Sequence, residues 1–235
     1  MRAGIVSCAT AMLLPMLAAS VPTVALGRQA VSIELVLAVD VSGSVDAAEQ
    51  RLQRDGLARA FRDDAVIDAI AALPDGLAVA VVAWAGPGQQ RTAVAWHRLV
   101  DQASAEDFAA RLEAALPVDL GTSGYTALGD ALIWSLAELA GNAFEGHPKI
   151  DVSGDGISNC GAYPSQVRDR ALASGVTING LAIVNENSYV PEFYRTNVIG
   201  GTGAFVVTAD DYRDFAQAVR LKLLRELAPG PTVLR

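Results

Sequence analysis

Short apolar runs and segments of helical period alternate along the whole chain, a pattern that predicts a parallel sheet covered by helices. The first run, 33–41 (Ile-Glu-Leu-Val-Leu-Ala-Val-Asp-Val), reads as a buried strand. Residues 46–62 follow with a helical period, placing Leu52, Leu57, Ala60 and Phe61 on one face and Arg, Gln and Asp on the other. Pro74-Asp75-Gly76 turns the chain into a second buried strand at 77–85, and Gly86-Pro87-Gly88 turns it again. Residues 91–96 alternate like a half-exposed edge strand, so this hairpin is expected to be antiparallel.

Helices are predicted from Ser104, as N-cap with Glu106 and Asp107 in the first turn, to about 116, and again over 127–140. A short strand at 149–153 precedes Gly-Asp-Gly, and a helix over 164–174 stops at Gly175. Strands at 176–184 and 204–208 follow, and a last helix runs from the region of Asp210 to about 227. The expected fold class is α/β: a doubly wound, mostly parallel central sheet, helices on both faces, one antiparallel edge strand. No repeat or low-complexity linker divides the chain, so residues 28–235 are expected to form a single domain.

Composition narrows the functional classes. Of 235 residues, 51% are hydrophobic, enough for a sizeable core, and the formal charge is −8 without any run of Lys or Arg. Attraction to nucleic acid phosphates or anionic lipid is therefore not expected. Residues 1–27 read as an export signal: Arg2, an apolar stretch over 9–19, and small residues leading to Ala25-Leu26-Gly27 before Arg28, with cleavage after Ser20 as the alternative. Pro15 and Pro22 break a stretch already short for a bilayer, so no stable membrane insertion is expected after cleavage, and the mature protein is placed in the periplasm or secreted. Cleavage removes Cys8 and leaves Cys160 alone, with no Lys, Arg or His within several residues to lower its pKa, so an unremarkable, partly exposed thiol is expected.

Three segments carry the candidate chemistry. Asp40-x-Ser42-x-Ser44 follows the first strand, Thr126 lies in Gly-Tyr-Thr-Ala-Leu before a helix, and Asp155 lies in Ser-Gly-Asp-Gly at the end of the 149–153 strand. In a doubly wound sheet, loops at the carboxyl ends of strands meet where strand order reverses, which lets these five oxygen-bearing side chains converge. Hard oxygens without His or Cys suit Mg²⁺, with Mn²⁺ or Ca²⁺ as substitutes, over zinc. Asp40 and Asp155 are expected on loop tips.

At these residues the chain resembles the von Willebrand factor type A (vWA) superfamily, whose metal-ion-dependent adhesion site has the pattern D-x-S-x-S, then a Thr, then an Asp in a D-G turn. The resemblance covers about residues 30–228. Stretches such as Ile178-Asn-Gly-Leu-Ala-Ile and Val198-Ile-Gly-Gly-Thr-Gly-Ala-Phe are similar to a bacterial exported branch of undefined function. Ser153 stands where a Thr is more usual before the D-G pair. The resemblance implies a Rossmann-like vWA fold, direct metal ligation by the Ser42 and Ser44 hydroxyls, ligation by Thr126 directly or through water, and charge from Asp40 and Asp155. It also implies one open position for a carboxylate from a protein partner.

An enzyme is the rival class, a metal-assisted hydrolase or phosphotransferase. A phosphoryl-acceptor Asp40 would need a second Asp two residues on, where Ser42 stands. No G-x-S-x-G elbow or G-x-x-x-x-G-K-[ST] loop occurs, and no His follows His147. No general base is evident beside the ion, so no enzyme activity is expected. An exported structural protein that uses the ion only for stability is the third class. Trp84, Trp96 and Trp134 are read as packing residues, His97 and His147 as surface or edge residues.

Overall fold

A computed structural model describes residues 27–120, 124–185 and 187–228. The proposed signal segment lies outside the described residues except for Gly27, as do Thr122 and Ser123 of the loop before Thr126. The chain runs β1 (Gln29–Asp40), α1 (Ala47–Phe61), α2 (Asp64–Ala71), β2 (Leu77–Trp84), β3 (Gln90–Leu99), α3 (Gln102–Ala115) and α4 (Leu128–Gly141). It continues through β4 (Phe144–Gly154), α5 (Pro164–Ala173), β5 (Thr177–Ile183), α6 (Val190–Phe193) with a π-helical turn at Tyr194–Val198, β6 (Val206–Ala209) and α7 (Phe215–Leu227).

The six strands lie in the order β3-β2-β1-β4-β5-β6, with β3 antiparallel and all other pairs parallel, as the alternation of elements predicts. β1 is central, and its alternation divides the core. Ile33, Leu35, Leu37 and Val39 enter one apolar cluster with residues of α1, α2, α3 and α7, whereas Val36 and Ala38 enter another with residues of α4, α5 and α6. Strand order reverses between β1 and β4, so the loops that follow these strands emerge side by side.

Several local readings change. Helix α1 buries Leu57, Ala60 and Phe61 as expected, but Leu52 is exposed while Gln53 and Gly56 are buried. Gln53 gains a buried acceptor, the Asp40 carbonyl at 3.0 Å, and Gly56 lies where a Cβ would come 2.8 Å from the Phe215 ring of α7. The N-cap of α3 is Asp101, whose carboxylate accepts the Ser104 amide at 2.9 Å; Ser104 occupies the third helical position of that capping box. α7 begins at Phe215 instead of near Asp210, and β4 begins at Phe144, five residues before the expected start.

Under α7 lies an ionic cluster that the helical pattern did not reveal. Lys222, fully buried, donates to Asp151 of β4 at 2.7 Å and to Glu226 at 3.0 Å. Lys149 lies 3.5 Å from the other Glu226 oxygen, and Asn179 Nδ2 donates to Glu226 at 2.6 Å. Burial raises the Asp151 carboxyl to about 6 despite the opposing pull of Lys222.

Candidate functional site

β1 delivers Asp40 as its last residue, level with Trp84 of β2, and the chain then turns through Ser42 and Ser44 into α1. The Ser42 amide donates to Asp40 Oδ1 at 2.8 Å, fixing the carboxylate against its own loop. Asp46 caps α1, accepting from Ala48 and Glu49, so the loop between strand and helix is held at both ends. Across the reversal point, the Ser44 hydroxyl donates to Asp155 Oδ1 at 2.7 Å, and the Ser42 and Ser44 hydroxyl oxygens are 3.3 Å apart.

Thr126 is anchored from two sides. The Ala127 amide donates to the Ala85 carbonyl at 2.9 Å, tying this loop to the end of β2. The Thr126 amide donates to Asn159 Oδ1 at 2.9 Å and the Asn159 amide returns a bond to the Thr126 carbonyl at 3.1 Å, tying it to the loop after β4. A Cβ on Gly156 would lie 3.5 Å from the Thr126 hydroxyl, so that side chain packs on the turn carrying Asp155. Asp40, Ser42, Ser44, Thr126 and Asp155 thus gather at one end of the sheet, from three separate loops.

The expectation that both aspartates sit on loop tips is corrected. Asp40 is 0% exposed and Asp155 6%, because β1 is the central strand and the returning loops close over its end. Burial, with the charge of Asp155 second, raises the Asp40 carboxyl to about 7. Asp40 Oδ2 has no hydrogen-bond partner, and neither carboxylate has an ion-pair partner among the described residues.

Two phenols that sequence reasoning missed close the site from below. Tyr194 and Tyr212 are buried, the Tyr194 hydroxyl is without a hydrogen-bond partner, the Tyr212 hydroxyl lies beside Asp155, and burial together with the Asp155 and Asp40 charges holds both phenols in the protonated form. A Cβ on Gly154 would stand 2.7 Å from Asp40 Oδ2 and 2.8 Å from the Tyr194 hydroxyl, so only glycine leaves room for both groups. No local motif announces Tyr194, which arrives from the π-helical turn far along the chain. Gln53 and Asn159 were legible only as polar residues; their bonds to the Asp40 and Thr126 backbones are tertiary.

The donor set fits a hard divalent cation. Two carboxylates and three hydroxyls converge, one carboxylate oxygen is buried without a partner, and among the described residues no cation pairs with either carboxylate. Among the described residues no group of three or more His, Cys, Asp or Glu side chains could hold a metal, so this hydroxyl-rich cluster is of a different kind.

The fold is that of the vWA domains. Structurally similar proteins include a von Willebrand factor type A protein from Catenulispora acidiphila, at TM-score 0.53 and 19% identity, over 83% of this chain and 42% of that one. Proximal thread matrix protein 1 from the mussel byssus, solved with a zinc-occupied MIDAS motif, matches at TM-score 0.60 and 19% identity, over 86% of this chain and 49% of that one. The vWF domain of the type V pili tip protein Mfa5 from Porphyromonas gingivalis matches at TM-score 0.56 and 12% identity, over 86% of this chain and 98% of that one. This chain spans about half the length of the byssus protein. By sequence it belongs to the family DUF1194, described as a protein of unknown function, whose pattern matches residues 30–231. No curated protein matches it in sequence.

Proposed function

We propose that this chain is a vWA binding module of the adhesion type, in which Asp40, Ser42, Ser44, Thr126 and Asp155 hold a divalent cation that captures an acidic group of a protein partner. One observation carries the reading: Asp40 is fully buried with an unpartnered oxygen, beside a second carboxylate, and among the described residues no cation pairs with either. When bound, the ion supplies the missing positive charge and a Lewis-acidic position for an incoming carboxylate. Neutral hydroxyls in three of five positions leave that charge only partly satisfied, which favours an anionic partner. The all-oxygen donors favour Mg²⁺, with Mn²⁺ or Ca²⁺ as substitutes, although the byssus protein shows a motif of this kind holding zinc.

The neighbours support the coarser part of this reading, since a pilus tip domain shares the fold. The proposed role is binding and not catalysis: among the described residues no His, Lys or Arg is paired with either carboxylate to serve as proton donor or acceptor. Export to the periplasm or the medium is part of the proposal. Among the described residues no helix is long and apolar enough to cross a membrane.

Calorimetric titration of Mg²⁺ into the full chain and into Asp40→Ala tests the site. The wild type should bind one ion, and Asp40→Ala should bind at least about tenfold more weakly. The variant should stay folded, because the Gln53 bond goes to the Asp40 backbone carbonyl and survives. Capture of cell-envelope proteins with and without chelator then separates adhesion from a purely structural ion. By linkage, a partner that binds through the metal must tighten metal binding by the same factor. Identical Mg²⁺ titrations for both proteins would remove the metal site. Ion binding without chelator-sensitive capture would leave the structural role.

A further inference from the structure

Away from the oxygen cluster, α4 and the edge strand β3 enclose a cleft of about 280 Å³, lined by Trp96, Trp134, Ala137, Glu138 and Gly141. α4 starts at Leu128, directly after the Thr126 loop, so Glu138 stands about 15 Å further along the helix axis. Of the three tryptophans expected to pack, Trp84 is fully buried, whereas Trp134 is 39% exposed and Trp96 is half-buried. The two uncovered indoles are the ones that line this cleft.

A chain of hydrogen bonds locks its walls. Trp96 Nε1 donates to Glu138 Oε2 at 3.2 Å, the Thr92 hydroxyl donates to Glu138 Oε1, and Trp134 Nε1 donates to the Thr92 oxygen at 3.3 Å. Both indole N–H groups are thereby spent, and what each ring has left to offer is its electron-rich π-system. Glu138 accepts from two neutral donors, which occupy lone pairs but leave its charge unbalanced. Among the described residues no cation pairs with it. Arg28, which reaches the same end of α4, is committed to Glu34, Asn142 and the Leu139 carbonyl. Glu138 also lies in the last turn of α4, where the helix dipole favours positive charge, and that turn holds no basic residue.

We infer that this cleft binds an organic cation, a quaternary ammonium group of the choline type, carried by a free solute or by a lipid headgroup. Charge selects the cation: a carboxylate, a helix C-terminus and two indole rings all attract positive charge, and an anion or a neutral ligand would leave Glu138 unbalanced. The lining selects a methylated one. Apart from Glu138, whose two oxygens each accept a bond already, no lining residue has a side-chain acceptor. The N–H groups of a guanidinium or primary ammonium therefore find few partners, whereas N-methyl groups need none and pack on the indoles. The site is independent of the metal-binding reading above.

Choline chloride titrated into the full chain, with the three tryptophan indole N–H resonances followed by heteronuclear NMR, provides the test. Trp96 and Trp134 should shift saturably while the buried Trp84 stays in place. The uncharged isostere of choline, with carbon in place of nitrogen, should bind at least about tenfold more weakly, and methylguanidinium should also bind more weakly than choline. Glu138→Gln keeps an acceptor for the Trp96 N–H and a donor for the Thr92 oxygen, so the walls stay in place, and it should weaken choline at least about tenfold. Gly141→Leu, whose Cβ would meet nothing within 4 Å, adds bulk at the cleft without a clash and should weaken choline likewise. An unmoved Trp84 resonance in both variants reports an intact fold. Pelleting with phosphatidylcholine vesicles that free choline reverses assigns the group to a lipid headgroup, and choline binding without pelleting assigns it to a solute. Absence of a saturable shift, equal affinity for the uncharged isostere, tighter binding of methylguanidinium, or full choline affinity in Glu138→Gln would overturn the inference.

Discussion

The cluster beneath α7 allows a stability prediction with a defined magnitude. In Lys222→Met the new side chain fills similar space but leaves Asp151 and Glu226, both buried, with the Asn179 amide at 2.6 Å and the Lys149 ammonium at 3.5 Å from Glu226 and no cation against Asp151 among the described residues. Removing one member of a buried ionic set costs about 3–5 kcal/mol, because the charge left behind remains unsolvated. For a domain of this size that corresponds to a fall of roughly 6–20 °C in Tm.

The pH dependence has a fixed sign. Burial pushes the Asp151 carboxyl up to about 6, above the ordinary carboxylate range, so between that range and 6 the native state binds more protons than the unfolded chain. Stability from this group therefore falls as pH rises through that window. Lys222 is what pulls the Asp151 carboxyl down, so its loss moves the window upward and widens it. The variant's deficit should be larger at pH 8 than at pH 5, where protonation of Asp151 relieves the stranded charge. The groups facing the cluster are Lys149, Asn179, Glu226 and Lys222 itself, with His147 close enough to feel Lys149 and Glu226; wild type measured at each pH removes the His147 contribution. Thermal unfolding followed by circular dichroism supplies the measurement, and Lys222→Met with Asp151→Asn should recover most of the loss. A variant that unfolds with the wild type at both pH values would refute the argument.

Three further outcomes follow from particular contacts. Gly154→Ala places a Cβ 2.7 Å from Asp40 Oδ2 and 2.8 Å from the Tyr194 hydroxyl, so overpacking should cost about 1–3 kcal/mol and weaken Mg²⁺ binding with it; unchanged Tm and affinity would contradict the crowding. Tyr194→Phe deletes a buried hydroxyl with no protein partner and should change stability by less than about 1 kcal/mol, whereas a loss above about 2 kcal/mol in chemical denaturation would mean that the hydroxyl is bonded in solution. Export should yield a chain beginning near Arg28, and intact-mass analysis of the envelope fraction that finds only full-length protein would reject it.

What could be read from sequence depended on whether a feature was local. β2 is a continuous apolar run and β1 from Ile33 to Val39 is broken only by Glu34, so the existence of both and their parallel pairing were legible. The three oxygen segments were recognisable because the D-x-S-x-S spacing and the Gly-Asp-Gly turn are each contained in a few residues. The first half of β4, Phe-Glu-Gly-His-Pro, has neither apolar continuity nor strict alternation; pairing with Gln29 and Ala30 of β1 makes it a strand. α2 is a short helix capped by Asp63, without a Gly or Pro boundary to separate it from α1. Nothing in the local pattern of the last helix marks Lys222 and Glu226 as buried, and only the approach of Asp151 and Asn179 from the sheet makes burial tolerable. The burial of Asp40 likewise depends on strand order, which no local pattern encodes.

β1 starts, and α7 finishes, at the pole opposite the oxygen cluster. Ser32 and Ile33 share the walls of a cavity of about 540 Å³ with Leu227 and Ala228, so the two ends of the described fold lie beside one another there. A molecule held at that pole points its Asp40–Asp155 face outward whichever end is attached. For measurement, this means that coupling to a sensor surface through either end leaves the recognition face free. For architecture, it means that such a unit can be spliced into a longer polypeptide as a lateral branch, with the entering and leaving segments forming a single stalk.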